Sequence, residues 1–134
     1  GMVVPTFVNQ ALAGEPITVY GDGSQSRSFT YVGDVVDALM QLVNEPKAIG
    51  EVFNIGNGEE ISIIGLAKKV KAMTDSASEI VTIPYGQACG AEFEDMPRRV
   101  PDISKIRELT GYEPKVQLAE ILTRVIDHFQ KQKQ

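Results

Sequence analysis

Apolar residues follow two patterns along this chain, and each pattern predicts one kind of secondary structure. Steps of three and four residues predict amphipathic helices. Short continuous apolar runs between turn-forming residues predict strands. The helical pattern covers residues 5–13, the segments after Asp34, Ser62 and Asp102, and residues 118–129, and the strand pattern covers residues 17–20, 28–32, 52–55 and 80–84. Because the two kinds alternate, we expect an α/β fold in one small domain.

Residues at the ends of the apolar stripes indicate where the helices begin and end. Asp34, Ser62 and Asp102 stand where an N-cap side chain would accept a hydrogen bond from main-chain N–H groups. Gly14 and Gly111 stand where a left-handed residue ends a helix. In the helix after Asp34 we expect a buried stripe of Val35, Val36, Leu39, Leu42 and Val43. Residues 85–101 lack periodicity and predict a loop.

Composition narrows the class of protein. The chain has 134 residues, 43% of them apolar, and 13 basic against 18 acidic side chains give a net charge of -5. That apolar fraction can bury a core, whereas the acidic balance argues against a nucleic-acid partner. One Cys and one His exclude a disulfide framework and leave no convincing zinc site.

The ends of the chain add no targeting signal. No apolar run approaches the roughly 20 residues of a membrane-spanning helix, and no signal-peptide pattern opens the sequence. We therefore expect a cytoplasmic protein with no membrane partner. We interpret residues 1–2 as a cleavage scar and start Met, residues 3–130 as the folded portion, and residues 131–134 as a frayed tail.

Two groups of basic residues, which we call the two basic points, are candidates for binding an anion. Residues 21–27 (GDGSQSR) form a glycine-rich turn in which the Arg27 guanidinium can hold phosphate oxygens bidentately, and Gln25 can add a neutral hydrogen bond. A surface hairpin with a solvated Arg27 fits the pattern equally well. Arg98 and Arg99 form the second point, for which a solvated loop is the simpler interpretation. A dinucleotide cradle requires a helix after such a turn, and here the pattern predicts a strand, so we expect no cofactor site at this turn.

Four ordered motifs carry a family resemblance across nearly the whole chain. They are GEPITVYGDGSQSRSFTYVGDVVDAL at residues 14–39, VFNIG at 52–56, RRVPDISK at 98–105 and LTGYEP at 109–114. Their order resembles the extended short-chain dehydrogenases that act on nucleotide sugars. These enzymes include UDP-glucose 4-epimerases, UDP-glucuronate decarboxylases and dTDP-glucose 4,6-dehydratases.

The resemblance also implies what this chain lacks. Members of the family carry a glycine-rich NAD turn and a catalytic Tyr-x-x-x-Lys pair before the region matched here. None of the four tyrosines has a lysine four residues on, since Ser24, Val35, Cys89 and Val116 hold those places. We therefore expect the C-terminal, substrate-binding part of such an enzyme, truncated and inactive alone, without the NAD-binding half; NAD serves the complete enzyme. We favour a UDP-glucose 4-epimerase-like isomerase, with decarboxylase and dehydratase left open.

Site residues follow from the same resemblance. The arginine at the position of Arg27 binds the diphosphate of the nucleotide sugar in the family, and residues equivalent to Val19 and Tyr20 lie beside the base. Arg99, with Arg98 as the alternative, corresponds to a second phosphate contact. The expected ligand is thus a UDP- or dTDP-sugar. Many relatives have an aromatic residue in place of Cys89, which weakens the case for sugar contacts from residues 85–90.

A second hypothesis needs no ligand. In whole enzymes of this family, the strand at residues 52–55 and the helix after Asp34 should pack on the NAD-binding half. Without that half they would expose apolar surface and a strand edge, which favour pairing with another copy. This alternative predicts a folded chain that self-associates as a homodimer or a larger assembly.

Overall fold

The computed structural model describes residues 2–84 and 96–132. Within these ranges the α/β fold predicted from the sequence is confirmed. The helices are α1 (Val3–Ala13), α2 (Val32–Val43), α3 (Ile63–Met73), α4 (Ser104–Thr110) and α5 (Leu118–Gln132), with one 3-10 turn at Pro46–Ala48. The strands are β1 (Ile17–Tyr20), β2 (Ser26–Ser28), β3 (Glu60–Ser62), β4 (Ile80–Ile83) and β5 (Arg98–Arg99).

The strands form two small sheets. β1 and β4 pair in parallel, in a register that runs from Ile17 opposite Ile80 to Tyr20 opposite Ile83. Parallel neighbours require a crossover connection, and α3 lies in the chain between these two strands. The other three strands form a sheet of order β3-β2-β5.

The chain divides into two compact units. Unit 1 comprises Gly1–Arg27, Ile61–Arg98 and Leu122–Gln134, as far as these ranges are described. Both α1 and α3 pack on β1 in this unit, and the two helices also contact each other. The side chains that lose all solvent contact here include Val8, Ile17, Val19, Leu66 and Val70. In unit 1 the helices α1 and α3 therefore pack together on the parallel strand pair.

Unit 2 comprises Ser28–Glu60 and Arg99–Ile121. Its core contains Ala38, Ile103, Ile106 and Tyr112, against which Leu42, Phe53 and Ile55 pack. The Tyr112 hydroxyl donates to the Gly56 carbonyl over 3.0 Å. Burial, followed by the charges of Asp34 and Glu113, raises the pKa of that hydroxyl above its ordinary value.

Several predicted elements are confirmed. β1 has the predicted bounds, and β4 ends one residue before the predicted end. Ser62 caps α3 by accepting from the Gly65 N–H over 3.1 Å. Gly14 and Gly111 are left-handed residues that end α1 and α4. The Asp102 carboxylate accepts from the Ser104 N–H at the start of α4, although Ile103 holds the N-cap position.

The prediction that Asp34 caps a helix is wrong. α2 begins at Val32 with Tyr31 at its N-cap, so Asp34 lies inside the first turn. Its carboxylate is buried, and one oxygen accepts from the N–H groups of Lys115 and Val116, each over 3.1 Å. The side chain thus anchors a distant segment of unit 2 instead of its own helix.

The predicted buried stripe of α2 is also wrong. Val36, Leu39 and Val43 are 51%, 49% and 80% exposed, whereas Ala38 is fully buried. The prediction fails at these three positions, whereas Val35 and Leu42 are partly buried and Leu42 packs against the unit 2 core. The buried residues of α2 are Asp34, whose carboxylate accepts from the Lys115 and Val116 N–H groups, and Ala38, which belongs to the unit 2 core. The larger apolar side chains consequently lie outward.

Two predicted strands differ from the structure. Residues 52–55 form no strand: Val52 is 81% exposed, and Phe53 and Ile55 pack against the unit 2 core from a segment without regular secondary structure. The strand predicted at residues 28–32 is instead β2 at Ser26–Ser28, since Val32 already begins α2. β3 and β5, with three and two residues, are too short to produce a pattern in the sequence.

Two leucines on different helices, one buried and one half exposed, test which side chains form the core. We expect Leu66→Ala to lower the free energy of unfolding by about 2–5 kcal/mol, because Leu66 is fully buried in unit 1. The matched change Leu39→Ala should cost less than about 1 kcal/mol, since Leu39 is half exposed on α2. Urea unfolding of both variants measures the difference, and equal losses would contradict the described core.

Candidate functional site

The loop between β1 and β2 is the first part of the candidate site. The Gly21 N–H donates to the Ile83 carbonyl over 2.8 Å, which extends the pairing of β1 with β4 by one residue. One Asp22 carboxylate oxygen accepts from the Ser24 N–H over 2.9 Å and from its hydroxyl over 2.7 Å. These hydrogen bonds lower the pKa of Asp22 below its ordinary value. The result is a tight turn held by its own side chains.

Gly23 is required at the centre of that turn for two reasons. Its φ is +73°, in the left-handed region that favours glycine. A Cβ at this position would also lie 2.7 Å from Val19 Cγ1 and 2.8 Å from Ile64 Cβ. The loop main chain therefore lies directly against the side chains of β1 and α3.

The N-terminus of α3 is bonded to the same loop. The Ile64 N–H donates to the Gly23 carbonyl over 3.0 Å, and the Ile63 N–H donates to the Gln25 carbonyl over 2.9 Å. Ser62 accepts from the next N–H group of the helix. Since the first three N–H groups of α3 have protein acceptors, this helix end does not offer them to a phosphate group. The glycine-rich turn serves to hold a helix here, and an anion beside this loop cannot use the first N–H groups of α3.

Arg27 is held in place by main-chain carbonyls. The half-buried side chain lies on β2, where Nη1 donates to the Ser26 carbonyl over 2.6 Å and to the Met96 carbonyl over 2.9 Å. The Ser26 N–H donates to the Pro97 carbonyl over 2.8 Å, so residues 96–97 fix both β2 and the guanidinium. These carbonyls carry no formal charge, and they orient the guanidinium by accepting from Nη1.

The other predicted residues of this region differ in what they can present to a ligand. The side chain of Val19 is fully buried in unit 1, whereas Tyr20 is 45% exposed at the end of β1. Gln25 Nε2 donates to the Tyr20 carbonyl over 3.1 Å. Of the two residues predicted to lie beside a base, Tyr20 is the one with a side chain at the surface of this chain.

The second basic point lies on β5. Arg98 and Arg99 are both exposed, but Arg98 belongs to unit 1 and Arg99 to unit 2. Arg98 therefore belongs to the same unit as Arg27, whereas Arg99 does not. The residues 85–90 considered for sugar contacts, with Cys89, lie outside the described residues.

Within residues 2–84 and 96–132, no group of three or more His, Cys, Asp and Glu side chains could hold a metal ion. In the same ranges no helix has the length and apolar character needed to cross a bilayer.

Sequence reasoning missed the polar anchors of unit 2. Besides Asp34, the Glu59 carboxylate accepts from the Leu118 N–H over 2.8 Å. The buried Asn57 amide donates to the Val116 carbonyl over 3.4 Å. Their acceptors and donors lie up to 82 residues apart in the chain, so no local pattern could have indicated them.

Known proteins match this chain over most of its length. The sequence model of the GDP-mannose 4,6 dehydratase family matches residues 2–125. A UDP-N-acetyl-alpha-D-glucosaminuronate decarboxylase of Bacillus cytotoxicus is 39% identical over 129 residues, which are 96% of this chain and 40% of the relative. UDP-glucuronic acid decarboxylase 1 of Danio rerio is 42% identical over 132 residues, which are 98% of this chain and 30% of the relative.

A solved structure shares the fold. The UDP-glucose 4-epimerase of Thermotoga maritima, determined with UDP-glucose, superposes with a TM-score of 0.88 at 33% identity and covers 100% of this chain and 41% of that one. The chain therefore spans between 30% and 41% of the length of these relatives.

Two left-handed glycines test the loop geometry. We expect Gly23→Ala to lower the free energy of unfolding by about 2–4 kcal/mol, because backbone strain adds to overpacking against Val19 and Ile64. Gly14→Ala is the matched control, since Gly14 has a similar φ of +70° but open space around it, and should cost about 1 kcal/mol. Thermal and urea unfolding measure both, and equal losses would show that α3 does not contact the loop.

Proposed function

Since the chain belongs to the GDP-mannose 4,6 dehydratase family, within the extended short-chain dehydrogenases of nucleotide sugars, we propose that its unit 1 binds the diphosphate of a nucleotide sugar. Arg27 is the phosphate-binding residue in this proposal. The observation that carries it is the guanidinium held by the Ser26 and Met96 carbonyls next to a tight glycine turn.

The fixed guanidinium suits a diphosphate for physical reasons. An arginine side chain loses about 2 kcal/mol of rotamer entropy when it is immobilised, and here contacts within the protein have already restricted it. Its planar N–H groups match the oxygens of a phosphate, and charge-assisted hydrogen bonds are about twice as strong as neutral ones. A local cation is needed in this chain because its net charge of -5 repels anions at long range.

Neighbouring residues of unit 1 complete the proposed site. The exposed Tyr20 side chain lies at the end of β1, and in the proposal it contacts the uracil or thymine base. Arg98 is the proposed second phosphate contact within unit 1. Arg99, which the family resemblance favours for that contact, belongs to unit 2 and stays a prediction.

The proposal concerns binding, and no reaction is assigned to these residues. The relatives are named for decarboxylation and for epimerisation, whereas UDP-sugars are common to their names. In a longer enzyme, a diphosphate bound away from the reacting sugar would supply binding energy that holds the sugar in place. NAD would supply the redox chemistry there.

A calorimetric titration with UDP tests the proposal. We expect saturable binding by the wild-type chain and a loss of affinity of about 10- to 150-fold in Arg27→Ala, the effect of about 1.5–3 kcal/mol for a charged hydrogen-bonding partner. Arg27→Lys should lie between the two, because it keeps the charge and loses the planar fork.

The matched control is Arg107→Ala. Arg107 pairs with Glu113 on the surface of unit 2, so its loss should leave UDP binding unchanged. Absence of heat at millimolar UDP for the wild-type chain, or equal affinity of the wild type and Arg27→Ala, would contradict the proposal.

A second candidate function, self-association, is favoured by the exposed side of α2. Apolar side chains on α2 that are 49–80% exposed to solvent form what we term the α2 face: Val32, Val36, Leu39, Met40 and Val43. Steps of three and four residues place them on one side of the helix. Contiguous apolar surface of this kind marks interaction sites in soluble proteins. We propose that a second copy of the chain covers the α2 face.

Light scattering after size exclusion measures this association. We expect the wild-type chain to form dimers or larger species and the double variant Val36→Lys, Val43→Lys to be monomeric, because two lysines cannot be buried without partners. Met73→Lys is the control, since Met73 is exposed on α3 in unit 1. A monomeric wild-type chain, or equal dissociation of the control, would overturn this candidate.

A further inference from the structure

Gln25 bonds in two directions at the base of the glycine-rich loop. Its side-chain amide donates to the carbonyl of Tyr20, the last residue of β1, over 3.1 Å. Its main-chain carbonyl accepts from the Ile63 N–H at the start of α3 over 2.9 Å. One residue therefore joins the end of β1 to the start of α3.

The two ends of the proposed nucleotide site lie on either side of this junction. Tyr20 precedes the loop, and Arg27 follows Gln25 by two residues on β2. The Met96 carbonyl holds the guanidinium, and the turn between Asp22 and Ser24 closes the loop tip. The Gln25 amide closes the base of the loop by fixing the Tyr20 carbonyl, which limits how far Tyr20 can move relative to Arg27.

We infer that Gln25 is a positioning residue that sets the distance between the base-binding and phosphate-binding ends of the site. The inference rests on the proposed function and assigns Gln25 a different role from direct contact with the diphosphate. Its amide nitrogen donates to the main chain of β1. Gln25 therefore affects the affinity for the ligand through the spacing of Tyr20 and Arg27.

This role has a distinctive consequence for binding. A ligand that contacts both ends gains from having them prealigned, because the second contact then forms at high effective concentration. A ligand that contacts one end gains nothing from the alignment. UDP reaches both ends, whereas inorganic pyrophosphate reaches the phosphate end alone.

Gln25→Met tests the inference, since methionine keeps the length of the side chain and loses the N–H donor. We expect UDP affinity to fall about 3- to 10-fold, the effect of one neutral hydrogen bond, while pyrophosphate affinity stays at the wild-type value. Gln130→Met on the exposed side of α5 is the matched control and should change neither.

Calorimetry with UDP and with pyrophosphate distinguishes the positioning role of Gln25 from direct contact with the phosphate. Equal loss of UDP and pyrophosphate affinity would show that Gln25 acts at the phosphate itself, and unchanged UDP affinity would show that it does not act at all. Either result overturns the inference while leaving Arg27 as the phosphate residue.

A second measurement does not require a ligand, so it tests whether Gln25 holds the base of the loop separately from whether the chain binds UDP. Amide hydrogen exchange at residues 21–26 and at Ile63 should be faster in Gln25→Met than in wild type, because the base of the loop has lost a bond. Exchange in α1 should not change. Identical exchange at residues 21–26 in the two proteins would overturn the role of Gln25.

Discussion

The close contact between the glycine-rich loop and the start of α3 determines the arrangement of unit 1. A side chain at Gly23 would collide with Val19 and Ile64, so the contact exists only because this residue is glycine. Main-chain carbonyls of the loop then take the first N–H groups of the helix. The direction of α3 and the position of β2 are thereby fixed by the same few residues, and Arg27 lies on the strand that leaves this loop.

For the proposed diphosphate site, that arrangement leaves side chains near the loop as the candidate contacts to phosphate. Glycine-rich turns in nucleotide-binding proteins commonly leave helix N–H groups available for phosphate. Here the N–H groups of α3 are already bonded, and the positive charge comes from a guanidinium oriented by the Ser26 and Met96 carbonyls. The loop contributes rigidity, and Arg27 contributes charge and geometry.

Local signals in the sequence predicted the local features well. Ser62, Gly14 and Gly111 mark helix ends because capping depends on neighbouring residues, and the helical apolar pattern after Ser62 predicted α3. The orientation of α2 could not be predicted this way. Its buried side is decided by Asp34, whose partners lie 81 and 82 residues along the chain. The candidate site divides likewise: the motif indicated Arg27 as a candidate residue, whereas one of the two carbonyls that orient its guanidinium belongs to Met96, 69 residues away in the sequence.

The guanidinium resonance of Arg27 provides the most direct measurement of the central claim. In an NMR titration with UDP, the Arg27 side-chain N–H signal and the amides of residues 21–28 should shift together and saturate, while the Arg107 side chain in unit 2 stays unchanged. Saturable shifts that omit Arg27, or an Arg27 signal that is unaltered at millimolar UDP, would contradict the account of this chain as a diphosphate-binding unit.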